Sequence, residues 1–251
     1  MVCNDSNEFT ECALHVHVQA PESLDALEEL AIILLIYEEE ISRLHPPCRR
    51  PYSKNGQDGP RGSIDSNRIF WVLPDSTETP DRSSRQFQDL DRTLAELKRQ
   101  YRTVDELKNY VRYRIPDENR AKERLIKRMN YPAGPDENGQ GAHRFGNRNR
   151  IVNFTTAIRG PEFPKTIEFR QARGSLCDQE IMHWVKFCIG LVQLADFYRE
   201  TPEKFRVKDW EDVHQSDGTY QRNKIDVFDL MRDMQLGDDE ISYWQTKVAF
   251  Y

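Results

Sequence analysis

Apolar and polar residues alternate strictly over residues 13–18, and this period of two predicts a half-buried β-strand. Its apolar face consists of Leu14, Val16 and Val18. The opposite face carries His15 and His17. A helical pattern follows, since apolar residues recur every three or four positions after Ser23, a residue type that commonly caps helices. These apolar residues are Leu27, Leu30, Leu34, Tyr37, Ile41 and Leu44. The pattern predicts a strand followed by a long helix.

Residues 45–83 are rich in Pro, Gly, Ser, Asn and Asp, which predicts a mobile loop. Helical spacing returns over 87–101. Thr103 and Glu106 form a capping-box pattern that begins another helix, which Pro116 must end or kink. Residues 117–130 have the pattern of a further, strongly charged helix.

Two candidate strands, 150–159 and 165–171, flank a Gly160-Pro161 turn, so we expect an antiparallel pair. Asp178 is positioned to cap a long helix that reaches about Tyr198. Its predicted buried stripe is Ile181, Trp184, Val185, Cys188, Ile189, Val192 and Ala195. Shorter helices are predicted over 226–236, before Gly237, and near 241–244. Strands and helices without regular βαβ alternation indicate the α+β class, with C-terminal helices.

The chain has 251 residues, of which 37% are hydrophobic and 31% charged, and this is enough for a substantial core. No apolar run approaches the ~18 residues of a membrane span. The first residues do not have the pattern of a secretory signal. The cysteines are odd in number and form no CxxC motif, which favours reduced thiols. We therefore expect a cytoplasmic protein that does not interact with membranes.

The net charge of −6 conceals a basic stretch over 112–150, with ten Lys or Arg against five Asp or Glu. Such a stretch is compatible with phosphate binding, and equally with a solvated helix face followed by a loop. The aromatic residues show no pattern typical of base stacking, so we expect no nucleic-acid partner.

Titratable residues share a face on two of the predicted strands. His15 and His17 are two positions apart, as are Glu168 and Arg170, and residues two apart on a strand project to the same side. Imidazole and carboxylate groups can hold Mg²⁺, Mn²⁺ or Zn²⁺, and an arginine fork can bind a phosphate or a carboxylate. The plain alternative is an exposed strand face together with a structural ion pair.

Several short motifs in order resemble the fungal amidoligase family, which belongs to the carboxylate-amine ligases that include glutamate-cysteine ligase. They are CALHVHV at 12–18, PPCRR at 46–50, Asn153 in a strand, KTIEFRQ at 165–171, and GSL at 174–176 before a helix that contains Trp184. The resemblance covers most of residues 12–198. Its specificity lies in the order of the motifs, because each motif alone is short.

The resemblance implies a ligase that uses ATP and Mg²⁺ (or Mn²⁺) to activate a carboxylate as an acyl phosphate, which an amine then attacks. It implies a curved, mostly antiparallel sheet with helices on its apolar face. The resemblance implies that His15 and Glu168 are metal ligands and that Arg170 binds phosphate and takes part in catalysis. It implies that His17 takes part in catalysis at the substrate side and that Asn153 contacts the cofactor or the substrate. Arg50 would bind a substrate carboxylate. The implied substrates are small-molecule or peptide acids and amines.

The sequence departs from the family pattern in ways that affect activity. Relatives begin with a strand that carries paired glutamates, ExE, and this chain starts after that point. Gln19 and Ala172 replace a typical Gly and His. We therefore expect an N-terminally truncated amidoligase-like domain over 1–200, with a helical extension over 201–251 packed on it. The chain is then a truncated gene product, a fragment or a degenerate member.

Two other functional classes remain open. The first is a non-catalytic binding or interaction module that keeps the ligase fold. The second is a zinc-dependent hydrolase that uses His15, His17 and an acid, although a third ligand motif such as HExxH is missing. One distance is informative, because His15 and Glu168 must lie within ~8 Å of each other to reach one ion.

Overall fold

The computed structural model describes residues 13–46, 49, 97–112, 115–130, 151–158, 162–207, 213–214, 220–221 and 226–250. The described chain has the predicted α+β fold, with a small antiparallel sheet and helices. The main sheet has the strand order β1-β3-β2, where the strands are β1 (Ala13–Gln19), β2 (Val152–Asn153) and β3 (Thr166–Arg173). A separate antiparallel pair is formed by β4 (Val213–His214) and β5 (Tyr220–Gln221).

The helices of the described chain lie between and after these strands. They are α1 (Leu24–Arg43), α2 (Val104–Val111), α3 (Glu118–Met129), α4 (Asp178–Glu200), α5 (Val227–Asp233) and α6 (Asp238–Val248). Short 3₁₀ helices cover Thr155–Ile158 and Pro202–Lys204. Residues 97–100 are also helical, and the rest of the predicted 87–101 helix lies outside the described residues. The same is true of the predicted mobile loop over 45–83, apart from residues 45, 46 and 49.

The long helix α1 is the centre of the core. Ser23 caps it as predicted, because its Oγ accepts a hydrogen bond of 3.2 Å from the Ala26 backbone N–H. Every residue over 26–38 is buried, including Glu28 and Glu29. Glu29 forms an ion pair with Arg112, just after α2, which compensates a buried charge. Since α1 contacts α2, α3, α4 and α5, it is buried on all sides and not only along the predicted stripe.

Two further helices begin with side-chain caps, and the one at Thr103 confirms the predicted capping box. Thr103 Oγ1 accepts from the Glu106 N–H at 3.1 Å, and Glu106 Oε2 accepts from the Arg102 N–H at 2.7 Å. Asp117 caps α3 in the same way through the Arg120 N–H, at 3.1 Å. Each cap satisfies backbone donors that have no partner within the helix.

Helix α4 packs against α1 and β1, and its Trp184 joins the sheet to the C-terminal helices. The Trp184 ring meets Phe169 of β3 edge-on at 6.4 Å, stacks on Phe187 at 5.4 Å, and meets Trp244 of α6 edge-on at 6.3 Å. All four aromatic residues are buried in one hydrophobic cluster. The apolar face of the sheet and the C-terminal helices thus share one core.

The prediction of a strand over 150–159 is wrong for most of the described residues, 151–158. Among these, only Val152–Asn153 form a strand, which pairs with β3, and the chain then turns into the 3₁₀ helix Thr155–Ile158. Asn153 Oδ1 accepts from the Thr155 N–H at 2.9 Å, and Asn130 Oδ1 accepts from the Phe154 N–H at 2.8 Å. The two side-chain oxygens thus accept hydrogen bonds from backbone N–H groups that a longer strand would use for pairing.

The predicted start and buried stripe of α4 also need correction. Cys177, and not Asp178, occupies the capping position, and it makes no capping bond with its side chain. Ser175 Oγ accepts from the Cys177 N–H at 3.1 Å. Ile189 is 38% exposed, whereas Trp184, Cys188, Val192 and Ala195 are buried as predicted. The buried face is wider than a stripe because Phe187, Leu191, Leu194 and Tyr198 are buried as well.

Near the C-terminus, the helix expected to end at Gly237 ends at Asp233, and the last helix is longer than predicted, spanning Asp238–Val248. Gln235 adopts φ of 58°, a backbone conformation that reverses the chain between α5 and α6. Gly237 occupies the capping position of α6. Among the described residues, none of the helices combines the length and apolar character that a membrane crossing requires.

We predict that Ser23→Ala lowers the free energy of unfolding by ~0.5–2 kcal/mol, because α1 loses its side-chain cap. Thr246→Ala is the matched control, since the Thr246 hydroxyl is exposed and donates to the Ser242 carbonyl within α6. The control should change stability by no more than ~0.5 kcal/mol. Urea denaturation measures both, and equal effects of the two variants would contradict the assignment of the cap.

Candidate functional site

A row of polar side chains crosses the sheet at Glu168 of the central strand β3. His17 of β1 and Asn153 of β2 are its direct partners on either side. Directly opposed residues of antiparallel strands project to the same face. His15 and Arg170 also reach Glu168, and these five residues, His15, His17, Asn153, Glu168 and Arg170, are called the Glu168 cluster below.

A β-bulge explains how His15 and Arg170 both reach the same carboxylate. Leu14 pairs with Ala172, but Val16 pairs with Phe169, so β3 has one more residue than β1 between these two pairs. Such an extra residue bends the strand and changes the direction of nearby side chains. His15 and Arg170 lie within this irregular stretch.

The Glu168 carboxylate accepts hydrogen bonds from Arg170 of its own strand and from Asn153 of β2, and both histidines of β1 lie close to it. Its Oε1 lies 2.9 Å from His15 Nδ1, 2.9 Å from Arg170 NH1 and 3.8 Å from His17 Nε2. Its Oε2 accepts from Asn153 Nδ2 at 2.7 Å. The separation of His15 and Glu168 is within the ~8 Å limit for sharing one ion. Their roles as metal ligands stay predictions.

Glu168 is a buried and ionised carboxylate, only 6% exposed. Burial by itself raises its pKa, but the hydrogen bond from Asn153 and the charge of Arg170, with smaller contributions from His17 and His15, bring the pKa below its ordinary value. The site is therefore built around a fixed negative charge.

The surroundings of His15 favour the neutral imidazole, because they lower its pKa. Burial and the positive charge of Arg170 lower its pKa, and the opposing effect of Glu168 does not outweigh them. An ionised carboxylate can only accept hydrogen bonds, so a proton on His15 Nδ1 would suit its 2.9 Å contact with Oε1 and would leave a lone pair on Nε2. The side chain is 36% exposed. A lone pair on a half-exposed imidazole can bind a cation or accept a proton.

His17 lies at the more exposed end of the cluster. Its Nδ1 forms a hydrogen bond of 3.0 Å with Thr166 Oγ1, which fixes the ring beside Glu168. Asn153, by contrast, is fully buried, and its amide bonds only to protein groups in the described chain. Asn153 thus supports the cluster from within, and direct contact with a cofactor or substrate would require rearrangement.

Arg49 is a site residue that the sequence reasoning missed. Its guanidinium donates to the Gln171 carbonyl at 3.2 Å and to the Arg170 carbonyl at 2.7 Å, at the bulge itself. Its neighbour Arg50, predicted to bind a substrate carboxylate, lies outside the described residues. Nothing in the PPCRR motif distinguishes the two arginines, because the pattern does not show where the bulge lies.

The cluster offers few protein ligands for a divalent cation among the described residues. In the described part of the chain, no group of three or more His, Cys, Asp or Glu side chains is arranged to hold a metal ion. Glu168 accepts hydrogen bonds from Arg170 NH1 at 2.9 Å and from Asn153 Nδ2 at 2.7 Å, and a carboxylate has about four lone-pair directions. The remaining directions fit Mg²⁺, because that ion is commonly bound by one or two carboxylates plus phosphate oxygens and water.

Comparisons of this chain with protein-family models, with curated proteins and with solved structures find no match.

We predict that Glu168→Gln lowers the free energy of unfolding by ~1–3 kcal/mol. The glutamine amide group would place donors against the donors of Arg170, His15 or Asn153, and Arg170 would lose its countercharge. Glu123→Gln is the control, because Glu123 pairs with Lys127 at 3.9 Å near the surface, and such pairs contribute little. Urea denaturation that shows the same small change for both variants would contradict the role of Glu168.

A comparison of wild type with Glu168→Gln also gives a prediction about the pH dependence of stability. The pKa of Glu168 in the folded chain is below its ordinary value of 4.5, so its contribution to stability is present above pH 4.5 and is lost as the pH falls through the folded pKa. The difference in unfolding free energy between wild type and Glu168→Gln should therefore shrink below pH 4.5. A difference that stays constant or grows in acid would contradict the shifted carboxylate.

Proposed function

We propose that the chain is an ATP-dependent carboxylate-amine ligase, an amidoligase, that works with Mg²⁺ or Mn²⁺. One observation carries the proposal. The residues that the family resemblance selects and the structure describes, although up to about 150 positions apart, converge on Glu168 from three strands, with His15, Arg170 and Asn153 all within 2.9 Å of its oxygens.

The charges around the cluster favour an anionic ligand. Arg170 and Arg49 both act electrostatically on His15, while Glu168 supplies the opposing negative charge. With His15 neutral, these groups sum to one positive charge. Arg170 uses NH1 for Glu168, and its guanidinium has further donors that suit phosphate oxygens. This arrangement supports the binding of a polyphosphate.

In the proposed reaction, a carboxylate oxygen of the acid attacks the γ-phosphorus of ATP, and ADP leaves. The amine then attacks the acyl carbon and loses a proton, and inorganic phosphate leaves as the amide bond forms. Arg170 would stabilise the charge on the transferred phosphoryl group, and a cation shared by Glu168 and the phosphates would do the same. His17, at the exposed end of the cluster, would contact the substrate side.

A second candidate is a non-catalytic binding module with the same sheet. It is favoured by the hydrogen bonding of Glu168, since both carboxylate oxygens already have protein donors. A carboxylate bonded in this way holds the strands together whether or not a ligand is bound. In this case the cluster would bind an anion without turnover.

We predict that calorimetry detects ATP binding that depends on Mg²⁺. Arg170→Lys should weaken this binding about 10- to 100-fold, because lysine keeps the charge but loses the forked donors. Arg120→Ala is the control, since Arg120 is largely exposed on α3 and pairs only loosely with Asp117 at 3.7 Å. It should bind ATP like wild type.

The outcomes separate the candidates. Magnesium-linked ATP binding with release of ADP and phosphate, when mixtures of carboxylic acids and amines are supplied, supports the ligase. Nucleotide binding without ADP release in any such mixture favours the binding module. No magnesium-linked binding, or equal loss in Arg170→Lys and Arg120→Ala, contradicts the proposed function.

A further inference from the structure

A buried arginine joins the chain that follows α1 to the bulge in β3. Arg49 is only 5% exposed, and its guanidinium donates to two successive backbone carbonyls, those of Arg170 at 2.7 Å and Gln171 at 3.2 Å. The Arg49 N–H donates to the Pro46 carbonyl at 2.8 Å, so its own backbone is held as well. Because a guanidinium carries five donors in a rigid fork, one side chain can bind both carbonyls at once.

A second contact binds the bulge to α1 directly. The Gln171 side chain donates from Nε2 to Ser42 Oγ at 2.7 Å, and the Ser42 hydroxyl donates to the Glu38 carbonyl at 2.7 Å. Ser42 and Gln171 are each 1% exposed, so water does not compete for these bonds. Arg49 therefore binds the backbone of residues 170–171, while α1 binds one of their side chains.

The bulge is the part of β3 where the backbone most needs such support. Residues 170–171 lie across from a single residue of β1, His15, because the register shifts there. An extra residue of this kind disrupts the regular ladder of backbone hydrogen bonds, and buried carbonyls that lose ladder donors need other donors. Arg49 supplies two of them from outside the sheet.

The backbone of Arg170 is held on both sides of its Cα. Its N–H donates to the Ile151 carbonyl at 2.9 Å, and its C=O accepts from Arg49. These two bonds fix the peptide groups before and after the residue, and thus the direction in which its side chain leaves the strand. From there NH1 of Arg170 donates to Glu168 Oε1 at 2.9 Å, while the side chain is 23% exposed.

We propose that Arg49 is a positioning residue that holds the bulge of β3, so that the Arg170 guanidinium lies against Glu168 and presents its other donors to an anion. The binding of an anion there rests on the proposed ligase function. The orientation of Arg170 does not, because it is a property of the protein without substrates.

Arg49→Lys and Arg49→Gln remove the fork in two different ways. Lysine keeps the charge but presents a single nitrogen, whereas glutamine is neutral and shorter. Both substitutions should loosen the Arg170 carbonyl. The effect of lysine should be the smaller one, because its ammonium group can still bind one of the two carbonyls.

Arg124→Lys is the matched control. Arg124 NH2 donates to the Val111 carbonyl at 3.1 Å, so it is also a partly buried arginine that binds a backbone carbonyl. Its bond joins α3 to the end of α2 and does not involve the sheet. The control therefore removes a guanidinium from a carbonyl and leaves the bonds of Arg170 in place.

The first measurement follows Arg170 by NMR of the full chain with ¹⁵N-labelled arginine. The Arg170 Nε–H signal is assigned by its absence in Arg170→Lys, and its heteronuclear NOE reports side-chain motion on the ps–ns timescale. Wild type and Arg124→Lys should show a restrained Arg170 side chain. Folded Arg49→Gln should show a clearly lower NOE, and Arg49→Lys an intermediate value.

The second measurement is a double-mutant cycle by calorimetry with magnesium and ATP. Arg49→Lys should weaken ATP binding about 3- to 10-fold, which corresponds to about one hydrogen bond. In the Arg170→Lys background the same substitution should have little further effect, because Arg49 acts only through Arg170. A residue that merely supports the fold would lower the affinity by the same factor in both backgrounds.

An Arg170 NOE that keeps its wild-type value in both Arg49 variants would overturn the proposal. So would an equal drop in Arg124→Lys, or the same loss of affinity in both backgrounds of the cycle. Failure of both Arg49 variants to fold while Arg124→Lys folds would also overturn it, since Arg49 would then be a residue of the fold alone. If wild type binds no ATP, the ligase proposal fails, and the NOE of Arg170 decides whether Arg49 positions it.

Discussion

The structure depends on one buried negative charge. An ionised carboxylate costs several kcal/mol to bury unless charges and hydrogen bonds compensate it. Glu168 is compensated by Arg170 on its own strand, His15 and His17 on β1, and Asn153 on β2. Each donor must come from a particular strand at a particular register. The pairing of the sheet, the bulge beside His15 and the early end of β2 are all consistent with this requirement.

Periodicity and capping chemistry predicted much of the fold, because these signals are local. The strand with His15, the cap at Ser23 and the capping box at Thr103 were all readable from neighbouring residues. The bulge, and the binding of the Arg49 side chain to backbone carbonyls there, were not, because they depend on pairing between distant segments. Asn153 was placed correctly in a strand beside Glu168, but its burial and its bond to Asn130 come from the packing of α3.

The cluster has features of both a structural and a functional site. Glu168 and Asn153 are buried and hydrogen-bonded, as in a structural network, while His15, His17 and Arg170 are partly exposed. The buried residues set the charge and orientation of the exposed ones. Such an arrangement, in which buried residues orient partly exposed ones, is expected of a binding site. The family resemblance suggests the chemistry, and the geometry gives those outer groups one common location.

The central claim is that the outer groups of the Glu168 cluster bind a nucleotide with its cation. The most direct measurement is a titration of histidine-labelled chain with ATP, in the presence and absence of Mg²⁺, followed by ¹⁵N NMR. Magnesium and ATP together should shift the signals of His15 and His17, while those of His183, stacked on Tyr243 on α6, should stay unchanged. No shift at either strand histidine, or a shift at His183 instead, would contradict it.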